Sequence, residues 1–222
     1  MASYGYIISA RVEPLQAEIT SLRGIATSII SDSLGRDLVA KQILPINKSP
    51  ISICANAFTV KVRSGDNLMI HKALQLIQPG DAIVIDGDGD MDRALFGEIL
   101  MIMAKKRGAV ACVVNGAVRD VDAFDREDFP CWAKSISLRG PFKDGPGTIN
   151  EPVIIGDMLV HPGDIILGDM DGVIAIPRHL AQKAVKLGKA KIAQEVSTIQ
   201  SILDGTYDDS WVDRTLKEKG AL

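Results

Sequence analysis

The chain has 222 residues, 46% of them hydrophobic and 24% charged, with 25 Lys and Arg against 28 Asp and Glu and a formal net charge of −3. That length suits one large domain with a sizeable core, and the composition is that of an ordinary globular protein. Basic residues are spread without a stripe, which argues against a nucleic-acid partner, and the apolar runs fall far short of a membrane span.

The opening segment MASYGYIISARVEP lacks a basic region followed by a long apolar stretch. No signal peptide is read there, and the expected location is cytoplasmic. Residues 13–23 have helical spacing, and 25–36 reads as a second helix stopped by Gly35. From about residue 42 the texture becomes β-branched. ILPI, ICANAFTVKV, AIVID, AVACVVNG, CWAKSISL, PVIIGDMLV, DIILG and GVIAIP are short strand-like runs. Gly-Asp pairs at 65–66, 80–81, 87–88, 89–90, 156–157, 163–164 and 168–169 are irregularly spaced and predict tight turns, not a repeat. Helices are predicted over 67–77, over 94–107 with a basic last turn and Gly108 as its stop, and over 119–127 as one short helix. After Pro177 the chain reads as helical to about 203, with a final helix near 209–218. The expectation is one α/β domain over 1–222, with a helical extension from about 178 that packs on a neighbouring subunit. Cys54, Cys112 and Cys131 have neither zinc nor redox spacing and read as small buried hydrophobes.

Several motifs fail on inspection. AIVIDGDGDMDRALFGE offers Gly87 and Gly89 to a dinucleotide fingerprint, but Asp92 stands at the third glycine position and would repel phosphate. As a calcium loop from Asp86 it has Met91 where the turn needs glycine and Gly97 where the bidentate acid belongs. No serine sits in a Gly-x-Ser-x-Gly elbow, and His71, His161 and His179 form no nucleophile motif. Lys134 and Lys143 remain possible Schiff-base lysines, though neither has an apolar setting.

The chemistry gathers around AVACVVNGAVRDVD at 109–122. Arg119-Asp120 follows a strand expected to run to about Val114, and Gly97-Glu98-Ile99-Leu100 opens the helix before it. In open α/β sheets, ligands sit at the carboxyl ends of strands. Free amides at a helix start bind carboxylates, an arginine fork grips one bidentately, and an aspartate suits a hard cation such as Mg²⁺ or Mn²⁺. Taken alone, the pair also fits a local salt bridge worth under about 1 kcal/mol.

GDNLMIHKAL at 65–74, RALFGEILMIMAKKRGAVACVVNGAVRDVD at 93–122, RGPFKDGPGTINEPVIIGDMLVHPGDIILGDMDGVIAIP at 139–177 and GTYDDSWVD at 205–213 together resemble the RraA-like family. That family includes the branch of the class II 4-hydroxy-4-methyl-2-oxoglutarate/4-carboxy-4-hydroxy-2-oxoadipate aldolases. That branch carries an acid, twenty residues, then Arg-Asp, which here are Glu98, Arg119 and Asp120. Glu98 stands where the branch has Asp, one methylene longer.

The resemblance implies a swivelling β/β/α-like fold with a β-rich core flanked by helices. It implies a trimer or dimer of trimers with sites between subunits. Asp120 would ligate Mg²⁺ (or Mn²⁺) directly, while Glu98 and Glu195 of an adjacent subunit would act through water. Arg119, with the backbone of Gly97, Glu98, Ile99 and Leu100, would grip a small anionic 2-oxo acid, and Asn67 and His71 would line the cleft. The implied reaction cleaves 4-hydroxy-2-oxo dicarboxylic or tricarboxylic acids to pyruvate and an oxo-acid, with Arg119, Glu98 and Glu195 catalytic and oxaloacetate decarboxylation as a side activity. The family also holds protein-binding regulators of ribonuclease activity that lack the metal-binding Asp, which this chain keeps; such a regulator is the alternative. Some related chains carry the label of demethylmenaquinone methyltransferase, but nothing here looks like an S-adenosylmethionine site.

Overall fold

The computed structural model describes residues 5–222. The reading of the amino-terminal segment therefore falls partly, over 1–4, outside the described residues. In chain order the strands are β1 (Tyr6–Ile8), β2 (Leu44–Pro45), β3 (Ile53–Val62), β4 (Asp81–Asp86), β5 (Ala94–Phe96), β6 (Ala111–Val118), β7 (Cys131–Ile136), β8 (Gly147–Ile149), β9 (Val153–Ile155), β10 (Met158–Val160), β11 (Ile165–Asp169) and β12 (Gly172–Ile176). The helices are α1 (Gln16–Leu22), α2 (Thr27–Ser33), α3 (Leu68–Leu74), α4 (Glu98–Lys106), α5 (Val121–Arg126), α6 (Ala181–Leu203) and α7 (Trp211–Glu218).

The main sheet runs β1-β8-β3-β4-β6-β7-β2, with β5 added beside β6 and β11–β12 joined to β3. β3, β4, β6 and β7 pair in parallel, with Val60 opposite Ile85 and Ile85 opposite Val114. Such strands are buried on both faces, which is why they read as continuous apolar runs without alternation. Phe58, Ile83, Ile85, Cys112 and Val114 point to one face, where α3, α4 and α5 cover them with Ile70, Leu74, Met101 and Phe124. Ala57, Ala82, Val84, Val113 and Trp132 point to the other, under the β9–β10 hairpin and β12. Successive residues of β11 and β12 alternate: Ile166, Val173 and Ala175 face that second core, while Ile165, Leu167, Ile174 and Ile176 face a third built on α1, α2 and α6. The molecule is thus a mixed α/β structure with a β-rich centre and helices on both sides, as expected. No helix among the described residues is long and apolar enough to cross a membrane.

Two boundaries differ from the sequence reading, and both shape the site. The predicted helix 94–107 begins only at Glu98, because Ala94–Phe96 is strand β5, fully buried and paired with β6. β6 in turn does not stop at Asn115-Gly116 but continues to Val118 through an irregularity between Val114 and Ala117. The Asn115 amide explains why a turn residue stays in a strand: it donates to Asp86 Oδ1 and to the Ile154 carbonyl, each at 3.1 Å, and bridges the sheet to the hairpin beneath. The Gly-Asp turns hold at Gly65, Gly80, Gly89, Gly156 and Gly163, all with positive φ. Gly168 instead lies within β11, where a Cβ would meet the Trp132 ring at 2.8 Å.

Candidate active site

β6 delivers Arg119 and Asp120 beside the start of α4. The Arg119 amide donates to the Phe96 carbonyl at 3.0 Å, so the residue after β6 is tied to the end of β5. Asp120 then takes a left-handed conformation (φ 57°, ψ 45°) at the junction with α5. Aspartate tolerates that region better than most side chains, and a strained backbone at a ligand site is a recurrent device. The turn aims the Asp120 carboxylate at the first amide of α4: Glu98 N–H donates to Oδ2 at 3.1 Å, and Arg119 Nε lies 3.5 Å from the same oxygen. A Cβ on Gly97, the α4 N-cap, would sit 2.6 Å from Asp120 Oδ2 and 2.9 Å from Arg119 Cγ, so any larger residue there forces the two site side chains to move.

A cleft of about 180 Å³ opens here. Its floor is Ala94, Leu95, Phe96 and Gly97, one wall is Ile99, Leu100, Arg119 and Asp120, and the other is Asn67 and His71 of the α3 segment with Pro141 and Lys143. Asn67 is buried and donates to the Leu95 carbonyl at 3.2 Å, but its Oδ1 is a buried acceptor without a partner. Burial, helped by the positive charge of Lys143, lowers the His71 pKa, so the imidazole is neutral near pH 7. The Arg119 guanidinium has no hydrogen bond to its Nη atoms among the described residues, leaving a fork free for a carboxylate.

Pro141 and Lys143 belong to a strap, residues 139–146, which Asp66 fastens to the start of α3. The buried Asp66 carboxylate accepts the amides of Asp144 at 2.7 Å, Gly145 at 3.1 Å and Leu68 at 2.9 Å. Burial alone would raise its pKa, but these three amides and Arg63 outweigh it and hold the carboxyl below its usual range. Phe142 packs under Arg93, whose guanidinium lies 4.0 Å from the ring centroid and donates to the Gly140 carbonyl.

Arg119, Asp120, Gly97, Ile99, Leu100, Asn67 and His71 therefore converge on one cleft. Glu98 contributes its amide, but its side chain does not line the cleft; its carboxylate pairs with Arg126 at the end of α5. Glu195 lies on α6, half-exposed, 3.8 Å from Lys191 of the same helix. Sequence reading missed Arg126, twenty-eight residues from Glu98, because no local pattern links the two. The loop RGPFKDGPG, whose basic residues the sequence places near an anionic ligand, supplies two walls that were not singled out in that role, Pro141 and Lys143. A second cavity of about 230 Å³ lies where β3, β4 and β6 begin, lined by Gln16, Ile19, Arg23, Cys54, Gly80 and Val110 among others. Burial pushes the Cys54 thiol up to about 12, so it is no nucleophile, and Arg23 is that cavity's one charged wall residue.

The donor chemistry suits a hard cation. Asp120 Oδ1 carries no hydrogen bond among the described residues, and the carboxylate is 42% exposed at the cleft. Among the described residues of one chain, no group of three or more His, Cys, Asp and Glu is placed to hold a metal ion. One carboxylate with open positions fits Mg²⁺ or Mn²⁺, which keep water among their ligands.

A family model described as RraA-like, Aldolase/RraA, matches residues 27–175. The chain belongs to the RraA-like family. A protein of Halalkalibacterium halodurans bearing the name "Putative 4-hydroxy-4-methyl-2-oxoglutarate aldolase" is 39% identical over 193 residues, 85% of this chain and 91% of that relative. The solved structure of an uncharacterized protein from Pseudomonas syringae pv. tomato is similar with a TM-score of 0.78 at 22% identity, covering 87% of this chain and 96% of that one. The RNA-processing inhibitor RraA of Thermus thermophilus gives a TM-score of 0.62 at 25% identity, covering 68% of this chain and 92% of its own. These two structures share the fold. The family match ends at residue 175, shortly before the long helix α6 and the short α7.

Proposed function

We propose that the cleft at the α4 N-terminus cleaves the carbon–carbon bond of 4-hydroxy-2-oxo acids, releasing pyruvate and a second oxo-acid, with oxaloacetate decarboxylation as a companion reaction. The observation that carries this reading is the joint placement of Arg119 and Asp120 against the open amides of α4, in a cleft sized for a small acid. The aldolase name borne by the 39%-identical relative supports it. The Arg119 fork holds the carboxylate and 2-oxo oxygen of the pyruvyl end, and the amides of Ile99 and Leu100 face the same anion. Leu95 and Phe96, both buried, give the reacting carbons an apolar floor. Asp120 would hold Mg²⁺ or Mn²⁺, which when bound supplies Lewis-acid stabilisation of the negative charge on the 2-oxo oxygen. In the same proposal, the Glu195 side chain of an adjacent copy, and Glu98 once it turns from Arg126, would complete the acidic side of the site.

Arg119 adds positive charge where the enolate forms, a contact typically worth about 3 kcal/mol. Lysine keeps that charge but loses the fork. Pyruvate release from 4-hydroxy-4-methyl-2-oxoglutarate, followed by coupled reduction to lactate, should therefore fall roughly a hundredfold in Arg119→Lys. An undiminished rate in that variant would contradict the role given to Arg119. No release by the wild type from this acid or from oxaloacetate would overturn the lyase reading and favour a protein-binding regulator.

A further inference from the structure

The cavity of about 230 Å³ at the amino ends of β3, β4 and β6 takes no part in the lyase reading. β6 is eight residues long, so about 25 Å of strand separates this cavity from the cleft. Gln16, Ile19 and Arg23 follow one face of α1 and its C-cap, at spacings of three and four, and arch over the start of β3. Ile19, Ile53 and Cys54 make a buried apolar floor. Burial raises the Cys54 thiol and keeps it neutral, while the Arg23 charge opposes that shift; the guanidinium thus stands within electrostatic reach of the floor. The Arg23 backbone amide donates to the Ile19 carbonyl at 3.1 Å, but its side chain has no hydrogen bond or ion pair among the described residues. The Gln16 carbonyl serves Thr20 of the same helix, and its side-chain amide, like the Ser52 hydroxyl on the rim, has no partner among them either.

We infer that this cavity is a second binding site, for a monocarboxylate with a short apolar tail. Small-molecule sites are concave, mostly apolar and oriented by a few polar groups, and the cavity has that make-up. The ligand carboxylate pairs with the Arg23 guanidinium at the rim, with the Ser52 hydroxyl and the Gln16 amide as further donors. Its tail lies on Ile19, Ile53 and Cys54, where leaving water is favourable. The walls select this class against others. Inorganic phosphate would bring a second negative charge to a cavity with one cation and set it over an apolar floor, where an unpaired charge is costly. The dicarboxylic and tricarboxylic acids proposed for the cleft are disfavoured for the same reason. Acetate would satisfy Arg23 but leave the floor wet. No bond is made or broken here, and the site stands independently of the lyase reading.

The test is a titration of the full-length protein, followed by amide NMR, with hexanoate, its neutral analogue hexanamide, and acetate. Hexanoate should shift the amides of Ser52, Gly80 and Val110 saturably, and bind at least about tenfold more tightly than hexanamide or acetate. Arg23 is exposed, so Arg23→Gln leaves the core intact, which a thermal melt checks. That variant should bind hexanoate no better than hexanamide, with hexanamide binding unchanged. Shifts confined to Gly97 and Ile99 would mean that the carboxylate goes to the Arg119 cleft instead, and would overturn the inference. So would the absence of saturable shifts, equal affinity for hexanoate and hexanamide in the wild type, or a preference for hexanoate that survives Arg23→Gln.

Discussion

Asp120 shows how much one residue's conformation decides. Its left-handed backbone turns the carboxylate back towards α4, where it accepts the Glu98 amide and still leaves Oδ1 free. This geometry depends on Gly97 having no side chain. Gly97→Ala should push the Asp120 and Arg119 side chains apart, because the new methyl would lie 2.6 Å from Oδ2. Relieving that contact moves the carboxylate by roughly 1 Å, a misplacement that costs on the order of a hundredfold in kcat/KM, and steady-state kinetics beside a thermal melt would separate it from unfolding. A rate within twofold of wild type would show that the pair can relax without harm. At this scale the sequence was informative about residue types: Arg119 and Asp120 stood out as an adjacent anion grip and hard-cation ligand. It was silent about the direction of Glu98, since a half-exposed ion pair with Arg126 reflects tertiary proximity of two helices. That pair is worth under about 1 kcal/mol, so it orients Glu98 without locking it.

Elements set the two walls of the cleft. The helix period over 94–107 looked continuous because Ala94, Leu95 and Phe96 are apolar at helix-compatible positions; burial between β6 and α4 makes them a strand instead. The opposite wall depends on Asp66, which was legible only as one of many Gly-Asp turns, and whose three backbone partners span 68 to 145. Removing it in Asp66→Ala leaves buried amides unpaired and should cost about 2–3 kcal/mol in urea unfolding. The strap amides of Asp144 and Gly145 should exchange much faster. The pH dependence has a definite sign. Because the folded carboxyl is held below its unfolded value of about 3.9, its contribution is full above that pH and is lost as pH falls through the lower, folded value. Protection of those two amides should therefore weaken in acid for the wild type. In Asp66→Ala it should be low throughout, and equal protection in both proteins would contradict the clasp.

At the scale of the whole molecule, the β-rich centre was visible in the sequence as a series of short apolar runs. Its strand order was not, because β8, β11 and β3 pair across long stretches of chain. The early part of α6 is anchored by Ala181, Ala184 and Gly188, the last so close that a Cβ would meet Ile30 Cδ1 at 2.7 Å. Beyond it, Val196, Ile199 and Leu203 follow one helical stripe at 62%, 56% and 75% exposure, and α7 buries no residue. Apolar stripes of this kind mark association surfaces. We propose self-association through them, in keeping with the trimer or dimer of trimers implied by the family resemblance and with Glu195 on the same helix. Light scattering behind size exclusion should report a multiple of 23.8 kDa, reduced by the double change Ile199→Glu and Leu203→Glu. A wild type that runs as one chain would remove this element of the account.

The most direct test of the central claim is pyruvate release from oxaloacetate by purified protein with Mg²⁺ or Mn²⁺, then with EDTA, beside Asp120→Ala. The account predicts turnover well above the metal-only background, abolished by chelation and absent in the variant. A rate equal to that background, or one that survives both EDTA and Asp120→Ala, would contradict a lyase centred on Arg119 and Asp120.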